Sequence, residues 1–223
     1  MFNFSDKINI PELNTVEPLD KKISDFETET SLEDAKSFWD QMFFEPKNIS
    51  ILDILNHHED DFDFDIDITD MTKFLDKFDD SNWNELSYDE KVELVNQLVE
   101  KIAEKLGLEL IPEVVYYEDD PSSRGVFYAA FNALGLNECL LDDPKQLIKT
   151  TAHELRHAFQ YQRAELPQNY EDLLYRVNLE NYISPIFNED GECLLYTDYA
   201  SQFVEAEARA FSNLFNREGA IRA

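Results

Sequence analysis

The chain has 223 residues, 43% of them hydrophobic and 13% aromatic, which is ample for a packed core. It carries 48 acidic against 19 basic residues, a net charge of −29, which argues against binding nucleic acid backbone or docking to anionic membranes. The N-terminus has no charged region followed by an apolar run, and no apolar stretch approaches the ~20 residues that span a bilayer, so neither a signal peptide nor a membrane segment is expected.

Charge divides the chain. Residues 1–84 hold 22 acidic and 7 basic residues; residues 85–223 hold 26 and 12 over a longer stretch. The first part reads as an acidic N-terminal extension, mixed or helical, and the second as an α+β domain. "SLEDAKSFWDQMFF" is a helix signal with Ser31 as N-cap. His57 and His58 are adjacent and read as surface residues. In "DFDFDIDI", Asp61, Asp63, Asp65 and Asp67 alternate with Phe62, Phe64, Ile66 and Ile68, the period of a half-buried edge strand. A calcium loop is the competing reading. It fails at the sixth position, Ile66 where glycine is needed, and at the twelfth, Thr72 where glutamate is needed.

From residue 85 the signals sharpen. "SYDEKVELVNQLVEKIAEKLG" opens on a capping box, Ser87 and Glu90, closes at Gly107, and spaces Val92, Val95, Val99, Ile102 and Leu106 helically. "PEVVYY", "GVFYAAF" and "GLNECLL" are three short β-rich runs that predict a small sheet. A helix then starts with Asp143 as N-cap and Pro144 in its first position. "QNYEDLLYRVNLENYI" predicts another helix, stopped before Pro185, and "DYASQFVEAEARAFSNLFNRE" a last one, ended near Gly219. Cys139 and Cys193 form no metal-type pair and read as buried free thiols of a reducing, cytoplasmic compartment.

The chain has four histidines, and two of them, His153 and His157, lie four apart in "KTTAHELRHAFQYQ". Helical residues at this spacing lie about one turn apart on one face. Both imidazoles can therefore grip one tetrahedral zinc at about 2.0–2.1 Å. Glu154 is rotated by about 100°, away from ligation but within reach of a water there. Two ligands and a general base on one helix is the His-Glu-x-x-His arrangement. Zinc lowers the pKa of a water and polarises a carbonyl, while the glutamate takes the proton and passes it to the leaving amine. A catalytic zinc usually has a third protein ligand. The last helix offers Glu205 and Glu207 among Ala206, Ala208 and Ala210, small residues that allow a close approach to the histidine helix.

"HELRHAFQ" followed by "EAEARAF" resembles the gluzincin metallopeptidases, the thermolysin-like zincins, over about residues 85–217. The resemblance implies a zincin-like core: a backing helix, a small mixed sheet, the active-site helix and a glutamate helix. It implies a third ligand four residues before an Asp or Asn that supports a ligand histidine. Glu205 is then the ligand, with Arg209 in the supporting position, although an arginine cannot accept the imidazole N–H. Either another group accepts that N–H, or the ligand is Glu207, whose fourth residue on is Phe211; if not a ligand, Glu207 reads as an acid beside the site or in solvent. The resemblance further implies that an edge strand just before the active-site helix, here "GLNECLL" (135–141), pairs with an extended peptide. Tyr196, Tyr199 and Arg209 are candidates to stabilise the developing oxyanion.

The expected function is a zinc metallopeptidase with His153, His157 and Glu205 as metal ligands and Glu154 as base, acting on a peptide or protein that the acidic charge favours as basic. The competing expectation is an acidic interaction module, binding a basic protein or mimicking nucleic acid, with a structural or vestigial zinc site. The coordination separates them: an open position favours the enzyme, a fourth protein ligand the structural site.

Overall fold

Asp143 Oδ1 accepts the Gln146 N–H at 3.0 Å and Pro144 follows it, so the longest helix begins where the sequence predicts. The computed structural model describes residues 49–118, 123–186 and 194–216. The helix predicted from Ser31, Cys193 and the expected helix end near Gly219 lie outside the described residues.

The described residues form a mixed α+β fold of helices around a small sheet. Two short helices, α1 (Thr72–Leu75) and α2 (Asp80–Trp83), precede α3 (Tyr88–Leu106). The capping box of α3 is formed: the Ser87 N–H donates to Glu90 at 2.8 Å, and Gly107, at φ 67°, closes the helix in the left-handed region. The strands β1 (Glu113–Tyr117), β2 (Gly125–Tyr128) and β3 (Ala133–Asn137) follow, then α4 (Pro144–Glu165), α5 (Tyr170–Glu180), α6 (Tyr196–Ala200) and α7 (Phe203–Asn213). β3 lies in the middle of the sheet, parallel to β1 and antiparallel to β2. No helix among the described residues is long and apolar enough to cross a membrane.

Val95, Leu98 and Ile102 of α3, Leu134 and Leu136 of β3, and Leu147, Ala152 and Leu155 of α4 form one buried core. Met71, Phe74, Phe78 and Trp83 join it. Trp83 is fully buried, stacks on Phe78 at 5.0 Å between centroids, and donates its indole N–H to the Leu141 carbonyl at 2.7 Å. The compact unit runs from Pro46 to Ala223, so the charge boundary near residue 84 falls inside it. Residues 51–83 of the acidic part are integral to this unit.

Three expectations are corrected here. Residues 62–68 are not a strand. Their side chains alternate as predicted, apolar positions half-buried and aspartates exposed, but the segment belongs to no sheet. The alternation comes from laying Phe62, Phe64, Ile66 and Ile68 on the helical cores. His57 is not a plain surface residue. Its ring packs edge-on against Phe203 at 5.1 Å and bonds to the Asp53 carbonyl at 3.0 Å. Cys139 is free, but exposed rather than buried, because it sits on the 3-10 turn Glu138–Asp142 after β3.

Candidate metal centre

The helix α4 places His153 and His157 one turn apart with their Nε2 atoms 3.1 Å from each other. Against this face packs α7, and its alanines leave room for the approach: Ala206 and Ala208 are fully buried. The contact delivers Glu205. Its Oε1 lies 3.4 Å from His157 Nε2 and its Oε2 3.5 Å from His153 Nε2. Glu205 is 1% exposed, yet its Oε2 accepts no hydrogen bond among the described residues. A buried carboxylate oxygen of this kind costs about 1–3 kcal/mol or more unless something binds it.

The donor spacing identifies what fits. Two ligands held about 2.0–2.1 Å from a tetrahedral ion stand roughly 3.3–3.4 Å apart. The two Nε2 atoms stand 3.1 Å apart, each lies 3.4–3.5 Å from a different oxygen of Glu205, and one donor atom from each of the three residues lies within 4.8 Å of the others. Two imidazole nitrogens and one carboxylate are zinc-type donors, and these three residues are the cluster of metal-ligating groups found among the described residues. Between Glu205 and Glu207, the alternatives left by the sequence, Glu205 is the one that faces the histidines. Tyr182 donates its hydroxyl to Glu205 Oε1 at 2.6 Å, and the Tyr199 ring packs edge-on against that of Tyr182 at 6.2 Å between centroids.

The charges are strongly coupled. Burial works against the His157 imidazolium, but the adjacent Glu205 carboxylate outweighs it and raises the pKa to about 9. Burial pushes Glu205 the other way, yet His157 and His153 hold its pKa well below the usual value.

Glu154 lies beside the histidines, 8% exposed. Burial raises its pKa, and the two histidines and the nearby Phe127 backbone N–H only partly offset this. β2 sits tightly on α4, which Gly125 allows. A Cβ there would come within 2.5 Å of Thr150 Cγ2 and 3.0 Å of Glu154 Cγ.

Glu207 does not face the histidines. It is 1% exposed and accepts from Arg156 at 2.5 Å, from the Tyr175 hydroxyl at 2.7 Å and from Gln160 Nε2 at 2.7 Å. Arg209, in the position where the resemblance implies support for a histidine, turns elsewhere. It donates to Glu59 at 3.0 Å and to the Ala200 carbonyl, and its nearest approach to Glu205 is 3.9 Å. Asn213 donates to the second Glu59 oxygen at 2.5 Å. Gln160 meets His157 Nδ1 instead, at 2.8 Å.

The centre opens into a cleft of about 760 Å³. It is lined by Ser123–Phe127, by residues of α4 and by Tyr182, Tyr196 and Tyr199. Tyr196 is 61% exposed at the rim, while Tyr199 is half-buried and Arg209 also borders the cleft. The expected groove strand is corrected. Residues 135–137 belong to β3, which is central and has both edges paired, and 138–142 form a 3-10 turn. The edge strand beside the histidines is β2. No family model, no curated protein and no solved structure matches this chain.

Gly125, Gln160 and Tyr182 are site residues that sequence reading passes over. Only Gly125 left a trace, a glycine opening a β-rich run where backbone comes close to another element.

Proposed function

We propose that this chain is a zinc-dependent peptidase with a zincin-like core, in which His153, His157 and Glu205 hold the metal and Glu154 is the general base. The observation that carries this reading is the convergence of three donor side chains, one ligand atom of each within 4.8 Å of the others, with an unsatisfied buried Glu205 oxygen among them. A bound zinc supplies polarisation of the scissile carbonyl and a lowered pKa for the attacking water. Glu154 takes the proton from the water as its oxygen attacks the carbonyl carbon, then gives that proton to the leaving amine nitrogen as the C–N bond breaks. Its raised pKa, caused by burial, suits a group that must hold the proton between the two transfers. The edge of β2 that no strand among the described residues pairs offers backbone groups to an extended peptide along the cleft. Tyr182 steadies the Glu205 carboxylate, and Tyr199 and Tyr196 border the space where a carbonyl oxygen would develop charge. The free, exposed Cys139 fits a reducing compartment such as the cytoplasm.

Three donors rather than four among the described residues, opening onto a cleft, favour a catalytic over a structural site. The test is metal analysis together with hydrolysis of a peptide library. Wild-type protein should carry about one zinc and cleave peptides, and His157→Ala should do neither. Wild-type protein without zinc at neutral pH would overturn the reading.

A further inference from the structure

The nearest polar neighbour of His157 on its far side is an amide, and the surroundings of that amide fix its orientation. Gln160 is fully buried. Its Nε2 lies 2.9 Å from the Val204 carbonyl oxygen and 2.7 Å from Glu207 Oε2, two groups that only accept. The NH₂ end must face them, so the Oε1 end faces His157 Nδ1 at 2.8 Å. An amide oxygen only accepts, so Nδ1 carries the hydrogen. When the ring is neutral, the lone pair is then on Nε2, the atom that faces His153 and Glu205.

Glu207 is itself immobilised. Arg156 and the Tyr175 hydroxyl both bond to its Oε1, and the Arg156 guanidinium lies over the rings of Phe159 at 4.4 Å and Phe64 at 5.0 Å. A buried ion pair of this kind is weak evidence for stability alone, and its best-attested use is to specify one arrangement. Here that arrangement ends at His157. Residues two apart on a helix differ by about 200° in direction, so Glu205 and Glu207 leave α7 on opposite sides. One faces the donor cluster and the other backs the histidine helix.

We propose that Gln160 is the positioning residue of His157: held by Glu207 and Val204, it fixes the ring and its tautomer and takes over the supporting role that Arg209 cannot fill. This rests on the metal-centre reading above. Groups that orient a ligand histidine in this way change metal affinity by roughly 10–100-fold when removed.

The test measures zinc affinity by competition with a chromophoric chelator, without reference to turnover. Gln160→Met keeps the volume and removes both polar ends, and should weaken zinc roughly 10–100-fold. Gln160→Glu alone sets a second carboxylate against Glu207 and should also weaken it. Combining Gln160→Glu with Glu207→Gln exchanges donor and acceptor, restores the bond between the two side chains and keeps the acceptor toward His157 Nδ1. It should regain most of the affinity, short of the bond lost to Val204. Equal affinity in Gln160→Met and wild type would overturn the proposal alone, as would a double variant no better than Gln160→Glu. Should the variants not fold, the zinc-loaded wild type still decides. Nuclear magnetic resonance should find a slowly exchanging proton on His157 Nδ1, and metallation at Nδ1 instead of Nε2 would overturn the proposal. A wild type that binds no zinc would bring down the metal-centre reading and this proposal with it.

Discussion

Gly125 lies so close to Glu154 that a single added carbon would fall 3.0 Å from its Cγ and 3.2 Å from its Oε1. This contact ties the edge strand β2 to the helix α4 beside the Glu154 carboxylate. Gly125→Ala must also displace the Thr150 methyl, 2.5 Å from the new Cβ. Overpacking of this sort costs about 1–3 kcal/mol. Thermal unfolding should register that loss, and peptide hydrolysis should fall further than stability explains. Adding Thr150→Ser removes the crowding methyl. It should restore stability while leaving activity low, because the crowding at Glu154 remains. Full activity in Gly125→Ala would remove Gly125 from the site.

The two glutamates of α7 should separate cleanly. Glu205→Ala should lose zinc. Glu207→Gln should retain zinc binding, since the amide oxygen still accepts from Arg156 and Tyr175, while its NH₂ end repels that of Gln160 and loosens the network. Glu207→Ala should cost about 3–5 kcal/mol, because it leaves the Arg156 charge buried without its partner. Glu154→Gln should keep the metal and lose hydrolysis. Normal zinc content in Glu205→Ala would overturn its assignment as ligand.

Much of this was legible in the sequence where one local pattern decides the outcome. Ser87 with Glu90, Asp143 with Pro144, and Gly107 fixed helix boundaries through caps that act within one turn. His153, Glu154 and His157 share a site because helix geometry alone brings them together. What was not legible depends on packing between distant segments. The period-two run 61–68 could not reveal whether a strand lay beside it, and none does among the described residues. Strand order decides which strands lie at the edges, and three short runs of similar composition do not encode it, so nothing in the run 135–141 marks β3 as the central strand. The partner of Arg209 is Glu59, 150 residues away, and the partner of Gln160 is Glu207, 47 residues away.

Residues 51–83 of the acidic part should prove inseparable from the fold. Trp83→Ala empties a fully buried site between Phe78 and the Leu141 carbonyl, and should cost about 3–5 kcal/mol. Chemical denaturation would measure it. A loss below about 1 kcal/mol would mean that the α2 region contributes little to the core.

Zinc should matter more for stability at alkaline than at mildly acidic pH. His157 has a folded pKa of about 9 against an ordinary 6.5, caused by Glu205 against the effect of burial. A raised pKa gives stability that is complete below 6.5 and is lost as pH rises through about 9. Glu205 has a lowered pKa, so its share is present above 4.5 and is lost as pH falls through its folded value. Metal-free protein should therefore lose stability between pH 6.5 and about 9, where the ion pair dissolves. Zinc-loaded protein should not, because ligation has already displaced the proton. Its apparent zinc affinity should rise with pH up to about 9. Melting curves with and without chelator, taken at pH 6 and pH 9.5, give the comparison; an equal effect of chelator at both would show that His157 does not titrate against the metal.

Charge should bias which peptides are cleaved. The net charge of −29 gives the cleft a field that draws cations, and such a field acts chiefly on association rate. Exposed Asp61, Asp63, Asp65 and Asp67 contribute to it, but Arg124, Lys149 and the Glu59-paired Arg209 line the cleft itself and oppose it locally. The screening length is about 8 Å at physiological salt, so the distant aspartates should be screened before the cleft cations are. Deleting residues 1–80 cannot separate these contributions, because Met71, Phe74 and Phe78 would leave the core. Salt and point substitution can. At low salt, kcat/KM for a basic peptide should exceed that for its acidic counterpart, and the ratio should shrink as salt rises. Lys149→Gln should widen the ratio by removing the local opposition. Equal cleavage of both peptides at low salt would mean that the acidity does not act on substrate association.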